Sequence, residues 1–106
     1  MRQDYNKLVR DRIPEIIQKA GCQCETQILS DSEYRHALRN KLLEEAEEVR
    51  TAENSKLREE LADLLEVVEA LMESHGISAE DIRLERDRKR AERGGFERKI
   101  LLLWTE

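Results

Sequence analysis

The chain has 106 residues, of which 41% are charged and 4% aromatic, and its formal net charge is −5. A net negative charge argues against nucleic acid as a bulk electrostatic partner. No apolar run reaches the length of a membrane span and the N-terminal stretch does not resemble a signal peptide, so we expect a cytoplasmic protein without a membrane partner. We expect one small domain, residues 1–106, that buries part of its apolar surface against another copy of itself.

The first predicted helix lies in the stretch DRIPEIIQKAG. Asp11 is its candidate N-cap, Pro14 is tolerated in its first turn, and Gly21 follows its end. Residues 22–29 alternate in polarity without a helical period, which predicts a short extended segment. Ser30–Glu33 match a capping box and open a second helix that continues to Ala52.

The second half of the chain predicts two more helices. Asn54 and Ser55 interrupt the chain before the third helix, which ends near Gly76. The stretch SAED, residues 78–81, is another capping signature and starts a charged helix that continues to Arg93. Gly94–Gly95 end that helix, and the apolar run that follows predicts a strand near 98–104 or a segment packed on the helices. The expected fold class is all-α, a four-helix bundle-like unit with short extended segments near 22–29 and 98–104.

Cys22 and Cys24 form a C-x-C pair with no further cysteine in the chain. A structural thiolate metal site usually needs four Cys or His ligands. His36 and His75 do not have ligand spacing relative to the pair, so we expect two reduced cysteines.

The third helix, which contains REELADLLEVVEALM, carries a carboxylate on its apolar side. Its apolar residues recur at three- and four-residue spacing and spread over an arc of roughly 160°. Glu60 falls inside this arc and Asp63 lies near its edge. A buried carboxylate costs several kcal/mol unless a positive group meets it. Two partners remain open on these grounds: a metal ion, or an arginine such as one from the basic fourth helix.

The second helix brings further carboxylates at Glu44, Glu45 and Glu48. Glu45 and Glu48 stand side by side at i, i+3, as do Glu60 and Asp63. If the two helices are antiparallel neighbours, the two pairs face each other, and a hard divalent cation such as Mg²⁺ or Mn²⁺ would relieve their repulsion. The stretch EEAEEV alone is also typical of a solvated helix face.

This acidic pattern, Glu44-Glu45-x-x-Glu48 followed by Glu60-x-x-Asp63, resembles the metal-binding signature of the all-α nucleoside triphosphate pyrophosphohydrolases, the MazG-like and phosphoribosyl-ATP pyrophosphohydrolase-like group. The stretches YNKLVRDRIPEII and KRAERGGFERKI resemble one branch of that group. The resemblance implies Mg²⁺-dependent cleavage between the α- and β-phosphates of a nucleotide, in a homodimer or a dimer of dimers. It also implies that the metal ligands are Glu45, Glu48, Glu60 and Asp63. Glu44 matches an additional acid, and either Glu44 or Glu48 would accept the proton of the attacking water.

Two basic groups are candidates for binding the substrate phosphates. One consists of Lys7, Arg10 and Arg12 in KLVRDR. The other consists of Lys89 and Arg93, which lie i, i+4 on the fourth helix; a solvated helix with internal salt bridges explains these two equally well. Base recognition is open to four aromatic residues that suit the core or an interface equally well: Tyr5, Tyr34, Phe96 and Trp104.

The expected function is therefore a Mg²⁺-dependent nucleoside triphosphate pyrophosphohydrolase with a role in cleaning the nucleotide pool. Two alternatives stand beside it. One is a biosynthetic enzyme acting on phosphoribosyl-ATP, and the other is a non-catalytic helical dimerisation or adaptor module in which the acids and arginines pair.

Overall fold

The computed structural model describes residues 2–106, and within them every regular element is helical. The four α-helices are α1 (Ile13–Lys19), α2 (Asp31–Thr51), α3 (Leu57–Ser74) and α4 (Ala79–Arg93), and a 3₁₀ turn at Asn54–Lys56 precedes α3. This confirms the all-α prediction. The segments expected to be extended, near 22–29 and 98–104, have no regular secondary structure, because no neighbouring strand in the described chain pairs with them.

Serine side chains begin both long capped helices as the sequence predicts. The Ser30 hydroxyl accepts from the Glu33 N–H at 3.2 Å, and the Ser30 N–H donates to the Glu33 carboxylate at 3.0 Å. Ser78 and Asp81 form the same reciprocal pair ahead of α4. Each box therefore satisfies N–H groups that would otherwise lack a partner at a helix start.

The N-cap prediction for the first helix is wrong. The helix begins at Ile13, its N-cap is Arg12 rather than Asp11, and no side chain caps it. The Ile13 N–H donates to the carbonyl of Arg10 at 3.1 Å, so a backbone turn already satisfies the group that a capping carboxylate would serve.

Gly76 ends α3 in a left-handed conformation, with φ +66°. The Ile77 N–H donates to the Met72 carbonyl at 2.9 Å and the Gly76 N–H to the Glu73 carbonyl at 3.1 Å. This is a Schellman motif, in which a residue with a Cβ would be strained at the position of Gly76.

Packing is concentrated between α2 and α3, which the five residues 52–56 join into an antiparallel pair. The buried apolar residues of the described chain are Leu38, on α2, and Val67, on α3; Leu38 is 2% exposed. Helix α4 contributes no buried residue. The interior of the predicted bundle is therefore the α2–α3 hairpin, and its core is thin. Among residues 2–106, no helix has the length and apolar character needed to cross a membrane.

We predict that Ser30→Ala lowers the free energy of unfolding by about 1 kcal/mol, because the first turn of α2 loses its side-chain acceptor. The measurement is the denaturation midpoint followed by circular dichroism. Ser32→Ala is the matched control, since Ser32 lies in the same turn and makes no such bond. Equal losses in both variants would contradict the capping role.

Candidate metal and phosphate site

Three carboxylates converge at the seam between α2 and α3. One oxygen each from Glu45, Glu60 and Asp63 lies within 4.8 Å of the other two, and all three residues are half-buried. The 3.6-residue period places Glu60 and Asp63 on one side of α3, and the antiparallel pairing brings Glu45 opposite them. The predicted meeting of carboxylates from the two helices is thus present in the structure.

Glu60 is the carboxylate of this cluster that has no cationic partner among residues 2–106. The salt bridges near the cluster go to Glu44, Glu45, Glu59, Asp63 or Glu66, and none goes to Glu60. Partial burial raises the pKa of Glu60, and the negative charges of Glu48, Asp63, Glu45 and Glu59 raise it further. The arginine ion pair that the sequence left open for Glu60 is therefore not formed by the described residues.

Glu48 lies beside the three converging carboxylates rather than among them. Its side chain is exposed, and it is not one of the residues whose oxygens approach within 4.8 Å. The negative charge of Glu48 nevertheless raises the pKa of Glu60. Among the causes of that shift it comes second, after burial. The resemblance assigns Glu48 both to the metal and to proton transfer, and its position one helical turn beyond Glu45 is compatible with either assignment.

Lys41 pairs with two acids of its own helix, α2, one of which is the cluster member Glu45. Its Nζ lies 3.4 Å from Glu44 Oε1 and 3.5 Å from Glu45 Oε1, and its side chain is 18% exposed. Lys7 Nζ approaches the same Glu44 oxygen at 3.3 Å. Burial opposes ionisation of Glu44, but the two ammonium groups outweigh it and lower its pKa. Glu44 is therefore held as a carboxylate between two lysines.

The segment before α1 contributes a guanidinium to the same place. Arg10 Nη2 donates to Asp63 Oδ1 at 2.8 Å, and Arg10 Nη1 lies 3.9 Å from Glu66 Oε1. Residues 7 and 10 of KLVRDR are thus brought to acids that follow them by 37 and 53 positions. This contact is long-range, and it joins one predicted phosphate-binding group to the predicted metal ligands.

A cavity of about 260 Å³ opens between this segment and the α2–α3 hairpin. Three cationic and three acidic side chains line it, together with a floor of Val9, Ile13 and Val67. The charged lining residues are Lys7, Arg10, Lys41, Glu45, Asp63 and Glu66. The cavity therefore offers oxygen ligands for a cation and nitrogen donors for an anion side by side, over an apolar surface that strengthens both interactions.

Other predicted site residues lie outside this cavity. Arg12, the N-cap residue of α1, bonds through Nη2 to Glu15 in the first turn of that helix at 3.2 Å. Lys89 and Arg93 are exposed on α4, whose charged neighbours form ion pairs along the helix, such as Arg88 with Glu92 at 3.1 Å. Their assignment to phosphate binding stays a prediction. The four candidate aromatic residues also lie away from the cavity lining; Tyr5 stacks under Lys7 Nζ at 5.8 Å.

Sequence reasoning missed Lys41 and Glu66. Lys41 precedes Glu44 and Glu45 by three and four residues, and this helical spacing was a signal that the three side chains meet. Helical periodicity places Glu66 on the polar side of α3, which predicts a solvated residue. Its role as a cavity wall follows from the docking of Arg10, which periodicity within one helix cannot reveal.

Comparison with known proteins bears directly on this site. The family model for phosphoribosyl-ATP pyrophosphohydrolase matches residues 4–90, a span that includes every side chain lining the cavity. An uncharacterised protein of Mycolicibacterium smegmatis (strain ATCC 700084 / mc(2)155) is 51% identical over 47 residues, which are 44% of this chain and 48% of that protein. The match thus spans about half the length of this relative. No solved structure matches the chain.

The residues matched by the family model, the all-helical fold and the carboxylates between α2 and α3 all indicate the same family. The chain belongs to the phosphoribosyl-ATP pyrophosphohydrolase family, within the MazG-like superfamily of all-α pyrophosphohydrolases.

Proposed function

We propose that this pyrophosphohydrolase uses Mg²⁺, with Mn²⁺ as a possible substitute, to cleave nucleoside triphosphates between the α- and β-phosphates. The observation that carries the proposal is the meeting of Glu45, Glu60 and Asp63 at the α2–α3 seam. Glu45 and Asp63 also line the cavity, together with its three cationic side chains. Oxygen ligands from carboxylates are those that hard divalent cations prefer. Glu60, which lacks a cationic partner among residues 2–106, fits a role as metal ligand.

The residues that would hold the ion are Glu45, Glu60 and Asp63, with Glu48 as the fourth ligand that the resemblance implies. When bound, such an ion supplies Lewis-acid polarisation of phosphoryl oxygens and favours ionisation of water. Lys7, Arg10 and Lys41, which line the same cavity as Glu45 and Asp63, would neutralise and orient the remaining phosphate charge. Arg10, bonded to Asp63 in this structure, would transfer to a phosphate oxygen when the carboxylate is engaged.

In the proposed reaction, a water oxygen bonds to the α-phosphorus and the bond from that phosphorus to the bridging oxygen breaks. Pyrophosphate leaves and a nucleoside monophosphate remains. Glu44 and Glu48 are the two candidates for the carboxylate that accepts the water proton. Lys7 and Lys41 keep Glu44 ionised but also make it a weaker base. No salt bridge to Glu48 occurs among residues 2–106, so that carboxylate is not weakened as a base in this way.

A biosynthetic substrate, phosphoribosyl-ATP, is the second candidate, because the matching family model carries that description. Both candidates require the same bond cleavage and differ in the group attached to the adenine or other base. Pyrophosphate release measured across canonical nucleotides, modified nucleotides and phosphoribosyl-ATP separates them. A role in cleaning the nucleotide pool predicts the highest kcat/KM for a modified nucleotide.

We predict that millimolar Mg²⁺ or Mn²⁺ raises the melting temperature, since a ligand that binds only the native state adds stability. At a free ion concentration of one hundred times Kd, binding adds about 2.7 kcal/mol to the free energy of unfolding. The measurement is differential scanning fluorimetry or calorimetry, with KCl at matched ionic strength as the control. A helical adaptor module, in which acids pair only with arginines and lysines, would give the same melting temperature with and without the divalent ion.

We predict that Glu60→Gln abolishes Mg²⁺-dependent release of pyrophosphate, because the amide removes a charged ligand. Without added metal the variant should be as stable as the wild type or more stable, since it lacks the repulsion from Glu48, Asp63 and Glu45. Glu69→Gln is the matched control, an exposed acid on the same helix outside the cluster. Full activity of Glu60→Gln on a substrate that the wild type cleaves would refute the metal assignment.

We predict that Arg10→Ala raises the KM of the triphosphate roughly tenfold through the loss of a charged hydrogen bond. Steady-state kinetics at saturating Mg²⁺ measure the effect. Arg2→Ala is the control, because Arg2 belongs to the same segment and pairs with Asp4 at 2.9 Å instead of with the site. An unchanged KM in Arg10→Ala would exclude this arginine from phosphate binding.

A further inference from the structure

A second, smaller cavity lies next to the candidate site. Its volume is about 120 Å³, and it opens between the segment before α1 and the middle of α2. Five polar side chains line it, namely Asn6, Lys7, Asn40, Lys41 and Glu44. Lys7 and Lys41 also line the larger cavity of about 260 Å³. The two cavities therefore share a pair of ammonium groups.

The two cavities differ in the charge of their linings. The larger one has three cationic and three acidic side chains, so their formal charges cancel. The smaller one has two ammonium groups against one carboxylate, a formal charge of +1, together with two neutral amides. None of Glu45, Glu60 and Asp63 lines it. The smaller cavity therefore favours an anion, whereas the carboxylate cluster favours a cation.

The two lysines have N–H donors left for a further partner, because each ammonium group carries three. Among residues 2–106, Lys7 Nζ has one carboxylate within ion-pair distance, that of Glu44 at 3.3 Å. Lys41 Nζ has two, those of Glu44 at 3.4 Å and Glu45 at 3.5 Å. All three distances exceed the roughly 2.7–2.9 Å of a strong charge-assisted hydrogen bond. Both ammonium groups can thus bind another anionic oxygen without first leaving Glu44.

Two asparagines add neutral donors beside the ammonium groups. Asn6 directly precedes Lys7 in the segment, and Asn40 directly precedes Lys41 on α2. Neither side-chain amide forms a hydrogen bond to another group among residues 2–106. Asn6 has φ +46°, a left-handed conformation that asparagine adopts more readily than most residues. The cavity therefore combines unused amide donors with positive charge, an arrangement that suits phosphate oxygens.

Lys41 connects the smaller cavity to the carboxylate cluster. Its ammonium group contacts Glu44, which lines the smaller cavity, and Glu45, a member of the cluster. A phosphate chain that begins at the cluster can therefore extend past Lys41 into the smaller cavity. The volume of about 120 Å³ equals that of roughly four water molecules in the liquid. Pockets for drug-sized ligands have about 300–1,000 Å³, so this cavity suits phosphate groups and not a nucleoside.

We propose that the smaller cavity binds the terminal phosphates of the substrate, which leave as pyrophosphate, through Lys7, Lys41, Asn6 and Asn40. This subsite rests on the proposed cleavage between the α- and β-phosphates. The carboxylate cluster then holds the phosphate at which the bond breaks, and the smaller cavity holds the group that leaves. A nucleoside monophosphate has no group for this cavity, so the subsite selects substrates with a longer phosphate chain.

The test measures binding of inorganic pyrophosphate and of AMP to the full chain by isothermal titration calorimetry at saturating Mg²⁺. Asn40→Asp places a second carboxylate in the smaller cavity, and it should weaken pyrophosphate binding by roughly tenfold or more. The affinity for AMP should change by less than about twofold, since AMP does not reach this cavity. Asn54→Asp is the matched control, because it adds the same charge at the turn before α3, outside both cavities.

Asn6→Gly is the second variant, because glycine keeps the left-handed backbone and removes only the amide. It should weaken pyrophosphate binding by roughly threefold. Circular dichroism verifies the helical content, and Asn40→Ala replaces Asn40→Asp if the latter does not fold. The subsite is overturned by unchanged pyrophosphate affinity in the Asn6 and Asn40 variants, by an equal loss of AMP affinity, or by the same loss in Asn54→Asp.

The binding experiment also separates the subsite from the proposed reaction. Equilibrium binding of an inorganic anion is measured without any turnover. If the wild type cleaves no triphosphate, the proposed reaction is refuted, while a selective loss of pyrophosphate affinity in Asn40→Asp still supports the anion site. If the wild type cleaves triphosphates and the variants bind pyrophosphate as tightly as it does, the subsite alone is refuted.

Discussion

The repulsion among carboxylates at the α2–α3 seam is the constraint on which the site depends. Glu45, Glu60 and Asp63 are held close together by the pairing of two helices, in a place where water only partly screens them. Lys41, Lys7 and Arg10 relieve part of this repulsion from one side. The position of Glu60 leaves its charge uncompensated within the described chain, and partial burial together with the neighbouring acids raises its pKa. This uncompensated carboxylate is the feature on which the proposed metal role of Glu60 rests.

The helical elements and the acidic cluster could be predicted because local information determines them. Capping boxes at Ser30 and Ser78 depend on residues three positions apart, and both were confirmed. The place of Glu60 follows from helical rotation and from the short connection between α2 and α3. The docking of Lys7 and Arg10 could only be suspected from resemblance, since those contacts span 37 and 53 residues. Neither alternative for 98–104, a strand or a segment packed on the helices, is found within the described chain. An apolar β-like run needs a neighbouring strand, and the described chain provides none.

The thin core and the candidate site are both built from the α2–α3 hairpin. A hairpin that buries Leu38 and Val67 has few apolar positions left, and one side of its seam is occupied by charge. The opposite side carries exposed leucines, which neither α1 nor α4 of the same chain covers. The hairpin therefore presents a charged side and an apolar side as separate surfaces.

The Arg10–Asp63 bond has a thermodynamic consequence for the segment that carries it. Residues 2–10 contain no helix, and their recorded ion pairs to the hairpin end on Glu44, Asp63 and Glu66. Whatever competes with Arg10 for the Asp63 carboxylate must also loosen the segment, and by linkage the segment weakens that competitor by the same factor. Residues 2–10 thus supply positive charge that balances the acids of the site, and the order of this segment depends on whether the cavity is occupied.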